Sequence, residues 1–569
     1  MHHKTVIDFK ELGKRLIFTN PLTELRASQL SEVKPLIEQV EAYQKKGYYV
    51  VGYISYEASP AFEPYAKVNS ERLTSEELAY FTVHNQVEMC DFPLTYEDVE
   101  LPKVWQESVS EKAYQEAIEQ IHHHIRQGDT YQVNYTMQLS APLDLDSFAV
   151  YNRLVVEQGA SYNAYIAHDG FAVVSVSPEL FFDKKGQLLK TRPMKGTTSR
   201  GLSLADDQEK ATWLAQDSKN RSENLMIVDL LRNDMGRISE TDSVKVSKLC
   251  QLEAYSTVWQ MTSTIESRLS PETSLSDIMT ALFPCGSITG APKIETMAII
   301  ECLEKKPRGV YCGTVGICLP NGDMLFNVAI RTLQIASGSA FYGVGGGITW
   351  DSQWQSEYEE TKQKSAILHR KKNLFDLVTT GKVTHRELDF KDQHLKRLEE
   401  AATYFSYPFD KEACCIRLEQ TLDGLELDET YRCRLSLSKS GELDISLDKL
   451  DDLAESMLSA VVVERELEET PHLYFKTTHR PHIPKAPYEQ LFVTKDGDLA
   501  ETSIANLILD IDGQWYTPPV SVGLLAGIYR QHLLDNGKVI EKRLTLDDLE
   551  RARAVYACNS VRGLYPLRI

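Results

Sequence analysis

The sequence has no C-x-x-C pair. Its 10 cysteines are scattered over 569 residues, and only Cys414 and Cys415 are adjacent. That excludes a zinc ribbon and a secreted disulfide framework, and leads us to expect a reducing, cytoplasmic setting. No run approaches the ~18 apolar residues of a membrane helix, and the first residues lack the basic-then-apolar pattern of a signal peptide. Positive charge is also short: 62 Lys and Arg stand against 82 Asp and Glu, a net charge of −20. Neither nucleic acid nor a membrane surface is therefore an expected partner. A small anionic substrate stays open, because one pocket can be locally basic. There is no internal repeat, low-complexity tract or Gly/Ser linker. What remains is a globular composition, 42% hydrophobic and 25% charged, at a length for several domains.

Local patterns place the elements. Tyr48–Tyr56 reads as a strand from its β-branched and aromatic content. Residues 110–127 read as a helix, with Ser110 as cap, an Ala117, Ile118, Ile121, Ile125 stripe, and Gly128 as stop. His122–His124 lie on it about 100° apart and cannot converge on one metal. Tyr131–Met137 alternates as a strand. Two strands join at His168-Asp169-Gly170, the second running from Phe171 through Ser177-Pro178-Glu179 into Phe181. Helix dominates 203–236. Segments 309–317 and 324–334 form a hairpin, with Arg331 on its second strand. Phe341–Ile348 is a strand ending in glycines, followed by a polar helix over 352–373. Near residue 370 the texture changes, and we divide the chain into domains 1–368 and 369–569.

The stretch Thr191-Arg192-Pro193-Met194-Lys195-Gly196-Thr197 holds one lysine in a tight turn. Pro193 biases the backbone before it and Gly196 permits unusual dihedrals after it. A lysine kept from water beside other cations can lose its proton and act as a nucleophile; a solvated loop lysine is the alternative. Glu357, Glu360 and Lys364 fall at i, i+3 and i+7 on one helix face. They make either a salt-bridged surface or, with Glu223, a hard-cation site. Backbone amides around Gly345-Gly346-Gly347, read as a turn, could bind a carboxylate. Arg331 needs an anionic partner, internal or from a ligand.

These segments, in order, resemble the chorismate-utilising enzymes: Ser177-Pro178-Glu179, Arg192–Thr197, Glu223–Asp234, Gly286–Lys293 and Gly345–Ile348. The resemblance covers about residues 50–370. It implies an α/β sandwich of two antiparallel sheets with outer helices. It further implies magnesium bound by Glu223 and Glu360 with Glu357 beside them, gripping the ring carboxylate of chorismate. Tyr311, Arg331, Gly346, Gly347 and Lys364 would bind the substrate, and Thr191 and Thr289 would line its pocket. Glu179 would protonate the departing C4 hydroxyl. Lys195 resembles the lysine of the aminodeoxychorismate branch, where it adds at C2 so that ammonia enters at C4; the anthranilate branch has alanine there. The family often has histidine where this chain has Gln260, which we place as a substrate contact. Cys285 reads as a packed side chain rather than a catalytic thiol. Neither a Leu-Leu-Glu-Ser feedback segment nor a Gly-x-Cys-x-Gly nucleophile motif is found, so ammonia would come from a separate glutamine amidotransferase subunit or from solution.

The segments Leu473–Arg480, Asp496–Leu509 and Gly523–Arg530 resemble class IV pyridoxal-phosphate enzymes over about 370–569. We read Leu473–Arg480 as a strand ending in a polar turn. By resemblance, Lys476 would carry pyridoxal 5'-phosphate and Glu501 would pair with its ring nitrogen. Arg397, Gly527, Ile528, Tyr529, Asn559 and Ser560 would hold the cofactor's phosphate end. Thr379 and Tyr529 depart from the family pattern, where glutamate and threonine are usual. Together the two halves imply conversion of chorismate to 4-amino-4-deoxychorismate and then 4-aminobenzoate, for folate, with a homodimer through the second half also in view. The alternatives are an anthranilate or salicylate synthase fused to an aminotransferase, or a C-terminal half serving only as a scaffold.

Overall fold

The computed structural model describes residues 3–73, 75–255, 257–371, 373–450 and 458–569. It forms two compact units, residues 1–199 with 211–371, and residues 200–210 with 372–569.

The first unit is built on two ten-stranded sheets, each antiparallel throughout. Alternation decides their packing. Ile7, Phe9, Tyr53, Tyr162, Val173, Val315 and Leu325 turn inward from the two sheets and form a shared core. The opposite faces carry helices. Leu30–Lys45, Ser218–Gly236 and Leu275–Leu282 cover one sheet. Glu111–Gln127 and Ser147–Gln158 cover the other. Ser110 caps its helix by accepting from the Ala113 amide, and Gly128 ends it in the left-handed region, as the stripe and its stop signal require.

Two pairs of strands cross from one sheet to the other side by side. Phe171–Ser177 lies in the first sheet and Leu180–Lys185 in the second, so the single strand expected through Phe181 is broken at Pro178-Glu179. Met324–Val328 and Thr332–Ala336 make the same change of sheet. Arg331 therefore sits in a bend at φ 50°, not on a strand. The crossings are stitched together: Val328 N donates to Glu179 O (3.0 Å), Val176 N to Arg331 O (3.1 Å), and Ser177 Oγ to Val328 O (2.6 Å). A strand cannot keep its ladder while leaving its sheet, and the backbone groups it frees need new partners. The polar helix is shorter than its composition suggests, Trp354–Ser365, with a 3-10 turn after it.

The second unit has a four-stranded antiparallel sheet packed on helices Lys391–Phe405 and Lys411–Asp423. Beside it is an eight-stranded mixed sheet. In that sheet Leu499–Thr502 pairs both Glu489–Val493 and Asn506–Ile511, closing six strands into a barrel around Leu491, Leu507 and Ala557. The segment around Lys476 is not a strand. It is irregular chain tied to Leu377–Thr384 by the Val378 N to Lys476 O bond (2.9 Å) and one bridge, Leu377 with Thr477.

Candidate active sites

In the first unit the site gathers around the crossing strands and the lysine loop. The strand Met194–Ser199 pairs with Val258–Arg268, but its register shifts between Met194 and Thr197. Lys195 and Gly196 occupy that β-bulge, with Gly196 at φ 91°, which is how a bulge re-aims a side chain. Among the described residues Lys195 makes no ion pair within 4.0 Å. Burial lowers its basicity, opposed by Glu223 and Glu179 and helped by Lys364.

Glu179 is 3% exposed. Burial pushes its carboxyl up to about 7, against a Ser287 hydrogen bond, the charge of Lys195 and the Met194 amide. Its Oε1 is buried with no hydrogen-bond partner. A carboxyl in that setting can stay protonated near neutrality and donate.

The glycine run is not a turn. Gly345, Gly346 and Gly347 lie inside the strand Ser339–Ile348, opposite Thr136, Tyr135 and Asn134. The Thr136 amide bonds Glu304 (2.8 Å) and the Asn134 amide bonds Thr289 O (2.7 Å). Thr136 with Gly345 and Asn134 with Gly347 are thus the non-hydrogen-bonded pairs, and the backbone groups of these two glycines face the other edge. Lys364 Nζ takes Gly345 O there at 2.8 Å and pairs with Glu360 at 2.7 Å. The missing side chains make the room. A Cβ on Gly347 would lie 2.0 Å from Gln132 Nε2 and 3.2 Å from Lys195 Nζ; one on Gly346 would lie 3.4 Å from Glu357 Oε2; one on Gly343 would strike the Tyr311 ring at 2.1 Å.

The carboxylates assigned to the metal share one electrostatic neighbourhood. Burial raises Glu223 and Glu357, whereas Lys364 holds Glu360 below its ordinary value. Glu360 in turn adds to the upward shift of both the others. Among the described residues no group of three or more His, Cys, Asp or Glu side chains is assembled to hold a metal ion alone. Such donors fit magnesium, which uses one or two protein carboxylates and fills its shell with water and substrate oxygen. Arg331 is half-buried and, among the described residues, has no carboxylate within 4.0 Å; burial lowers its pKa.

Other expected contacts are engaged within the protein. Thr191 Oγ1 meets Met235 Sδ at 3.5 Å, and Thr289 Oγ1 bonds Cys285 O and Gly286 O at 3.2 and 3.3 Å. Gln260 bonds the lysine loop: its Nε2 donates to Gly196 O (2.8 Å) and its Oε1 accepts from Thr197 Oγ1 (2.9 Å). Cys285 is buried with its thiol pushed up to about 12, chiefly by burial. Sequence reasoning overlooked Gln132, 1% exposed with Oε1 unpartnered, and Ser287. Gln132 stood inside an alternating strand and carried no signal of its own.

In the second unit, Lys476 is pushed down to about 7 by burial and by Arg397, Arg480 and Arg434. Glu501 is 5% exposed, raised to about 7 by burial, and accepts the Leu525 amide at 3.2 Å. Arg397 donates to Ala526 O. Next to it Gly527 caps the helix Ile528–Asp535, whose first amides have no partner within the helix. A Cβ on Gly527 would fall 1.9 Å from Asn506 Oδ1. Arg397, Arg480 and Lys476 all feel the charge of Glu501, and cations gathered beside a helix N-terminus fit a phosphate-bearing cofactor. Asn559 Oδ1 accepts from the Val561 and Arg562 amides (3.0 and 2.9 Å), Ser560 O accepts from Lys382 N (3.1 Å), and Tyr529 stacks edge-on against Phe390. His394, unforeseen from sequence, is fully buried, bonds Thr379 Oγ1 at 2.6 Å, and is pushed down to about 3 by burial, Arg397 and Lys476.

A two-sheet sandwich carrying Glu179 and Arg331 at its crossings defines a class. The chain belongs to the chorismate binding enzymes, whose family model matches residues 4–370. Residues 376–569 match the class IV amino-transferase model. Aminodeoxychorismate synthase component 1 of Bacillus subtilis (strain 168) is 40% identical over 261 residues, 46% of this chain and 56% of that protein. The protein of that name from Escherichia coli (strain K12) is 39% identical over 268 residues, 47% and 59%. The match thus spans less than two thirds of these relatives. The crystal structure of anthranilate synthase component I from Streptococcus pneumoniae TIGR4 aligns with TM-score 0.55 at 25% identity, over 62% of this chain and 92% of that one.

Proposed function

We propose that the first unit aminates chorismate at C4 to give 4-amino-4-deoxychorismate, and that the second removes pyruvate from it to give 4-aminobenzoate. The observation that carries the first half is that Lys195 stands close to the Gly347 strand and within the electrostatic reach of Glu179. Lys195 Nζ, as the free amine, forms a bond to ring C2. Both ring double bonds shift, and the C4 hydroxyl leaves as water with the proton held by Glu179. Ammonia then bonds to C4 and gives a proton back to the Glu179 carboxylate, both double bonds return, and the Nζ–C2 bond breaks. Dividing one displacement into two lowers each barrier. Arg331, Lys364 and the Gly347 amide orient the substrate's carboxylates. Glu223 and Glu360, with Glu357 beside them, would hold magnesium, which when bound supplies charge neutralisation at the ring carboxylate. The names of the relatives, each a component 1, support ammonia delivery by a separate glutamine amidotransferase subunit.

In the second unit Lys476 would hold pyridoxal phosphate and Glu501 its ring nitrogen, with Arg397 and the helix amides at Gly527–Tyr529 on the phosphate. The cofactor supplies an electron sink. Lys476 would move the proton, a role supported by its pKa near 7, since such a side chain serves both directions. Among the described residues no helix is long and apolar enough to cross a membrane.

Incubation with chorismate, ammonium, magnesium and pyridoxal phosphate tests the reading by product chromatography. We expect 4-aminobenzoate from wild type, and accumulated 4-amino-4-deoxychorismate from Lys476→Ala. Release of 2-aminobenzoate or salicylate as the main product would sink it.

A further inference from the structure

The bulge that aims Lys195 leaves backbone carbonyls with no ladder partner. Met194 pairs with Thr262 and Thr197 with Gln260, so Lys195 and Gly196 together oppose Met261 alone. Buried carbonyls freed in this way need other donors. Two side-chain carboxamides supply them. Asn224 Nδ2 donates to Lys195 O (3.3 Å), and Gln260 Nε2 donates to Gly196 O (2.8 Å). Gln260 also accepts from Thr197 Oγ1 (2.9 Å), clasping the residues on the far side of the lysine. It is 6% exposed, and both its polar atoms are engaged by the loop.

We propose that Gln260 is a positioning residue that splints the Lys195 bulge, rather than a substrate ligand. A carboxamide suits this task because it offers a donor and an acceptor on one planar end and adds no charge beside the lysine. An imidazolium would bring two donors, no acceptor and a second positive charge. Lysine at 195 and glutamine at 260 then work as a pair. The lysine supplies the nucleophile, and the glutamine fixes where its amine stands. Without the splint the bulge can relax, and the burial that lowers the basicity of Lys195 weakens.

The inference about rate rests on the chorismate-aminating reading, but the splint itself can be tested without turnover. Reductive methylation of Lys195, followed across pH by peptide mass spectrometry, reports its protonation in wild type and in Gln260→Ala. We expect the midpoint to rise by about one pH unit or more in the variant. Chorismate affinity by direct titration should change less than about twofold, while kcat falls about tenfold or more with KM held, the pattern of a lost transition-state effect. Thr197→Val, which removes one leg of the clasp from an exposed residue, should shift both in the same direction by less. An unchanged labelling midpoint with a tenfold loss of chorismate affinity would overturn the proposal and make Gln260 a substrate ligand. If wild type consumes no chorismate, the aminating reading fails while the labelling result still decides the splint.

Discussion

Replacing Glu179 by glutamine should make the protein less active and, at alkaline pH, more stable. The carboxyl is 3% exposed and is raised from its ordinary 4.5 to about 7, chiefly by burial. Each unit of such a difference corresponds to about 1.4 kcal/mol between protonation states. The sign follows from proton counts. Between pH 4.5 and 7 the folded protein holds a proton that the unfolded chain has released, so stability falls as pH rises through that window, and the full cost stands above it. Glutamine does not titrate. The stability difference between Glu179→Gln and wild type should therefore grow in favour of the variant by about 3 kcal/mol between pH 4.5 and 8. Any constant cost of fitting the amide cancels in that comparison. Denaturant unfolding of the first unit at the two pH values measures it. Chorismate amination should fall about 100- to 10,000-fold, the usual contribution of a general acid, and the loss of wild-type activity above pH 7 should vanish from the residual rate. Parallel stability curves for the two proteins would refute the reasoning, because they would mean that Glu179 ionises as a solvated carboxylate.

Four further outcomes follow. Gly347→Ala places a methyl 2.0 Å from Gln132 Nε2 and 3.2 Å from Lys195 Nζ; overpacking of this kind costs about 1–3 kcal/mol, visible as a lower Tm together with loss of chorismate turnover. Lys476 is lowered to about 7, so its charged form is penalised in the fold. Lys476→Met should stabilise the second unit most below pH 7, with the gain fading as pH rises toward the lysine's ordinary 10.5, as thermal melts at pH 6 and 9 would report. Chelation should abolish chorismate amination while sparing the second step from supplied 4-amino-4-deoxychorismate, and Glu223→Gln should raise the magnesium concentration needed for half-maximal rate.

Much of the local structure was legible because it depends on near neighbours. The helix after Ser110 and its stop at Gly128 follow from a cap, a stripe and a left-handed glycine. The hairpin across Pro320–Asp323 follows from turn residues between two β-rich runs. Three readings failed at the same kind of place. Arg331 lies in a bend where a strand was expected, Phe171–Phe181 breaks at Glu179, and Gly345–Gly347, read both as the end of a strand and as a turn, run within the strand. In each case period and propensity describe the segment correctly, but a change of sheet or a long-range ladder determines its conformation. No local pattern encodes which distant strand lies opposite.

The candidate site divides along the same line. Residue types and their order, through the resemblance they carry, were enough to put forward Glu179, Lys195, Glu223, Glu360 and Lys364 as candidates, because each carries a charge that the proposed chemistry would use. Tertiary structure decided what surrounds them. It buried Glu179 without a partner for Oε1, bonded Gln260 to Gly196 and Thr197 of the Lys195 bulge, turned the Thr191 hydroxyl toward Met235, and brought Gln132 against Gly347. Sequence determines which groups a chain can offer. Only packing determines how much water each one keeps and which neighbour takes its hydrogen bonds, and those two quantities set whether a lysine is a solvated cation or a nucleophile.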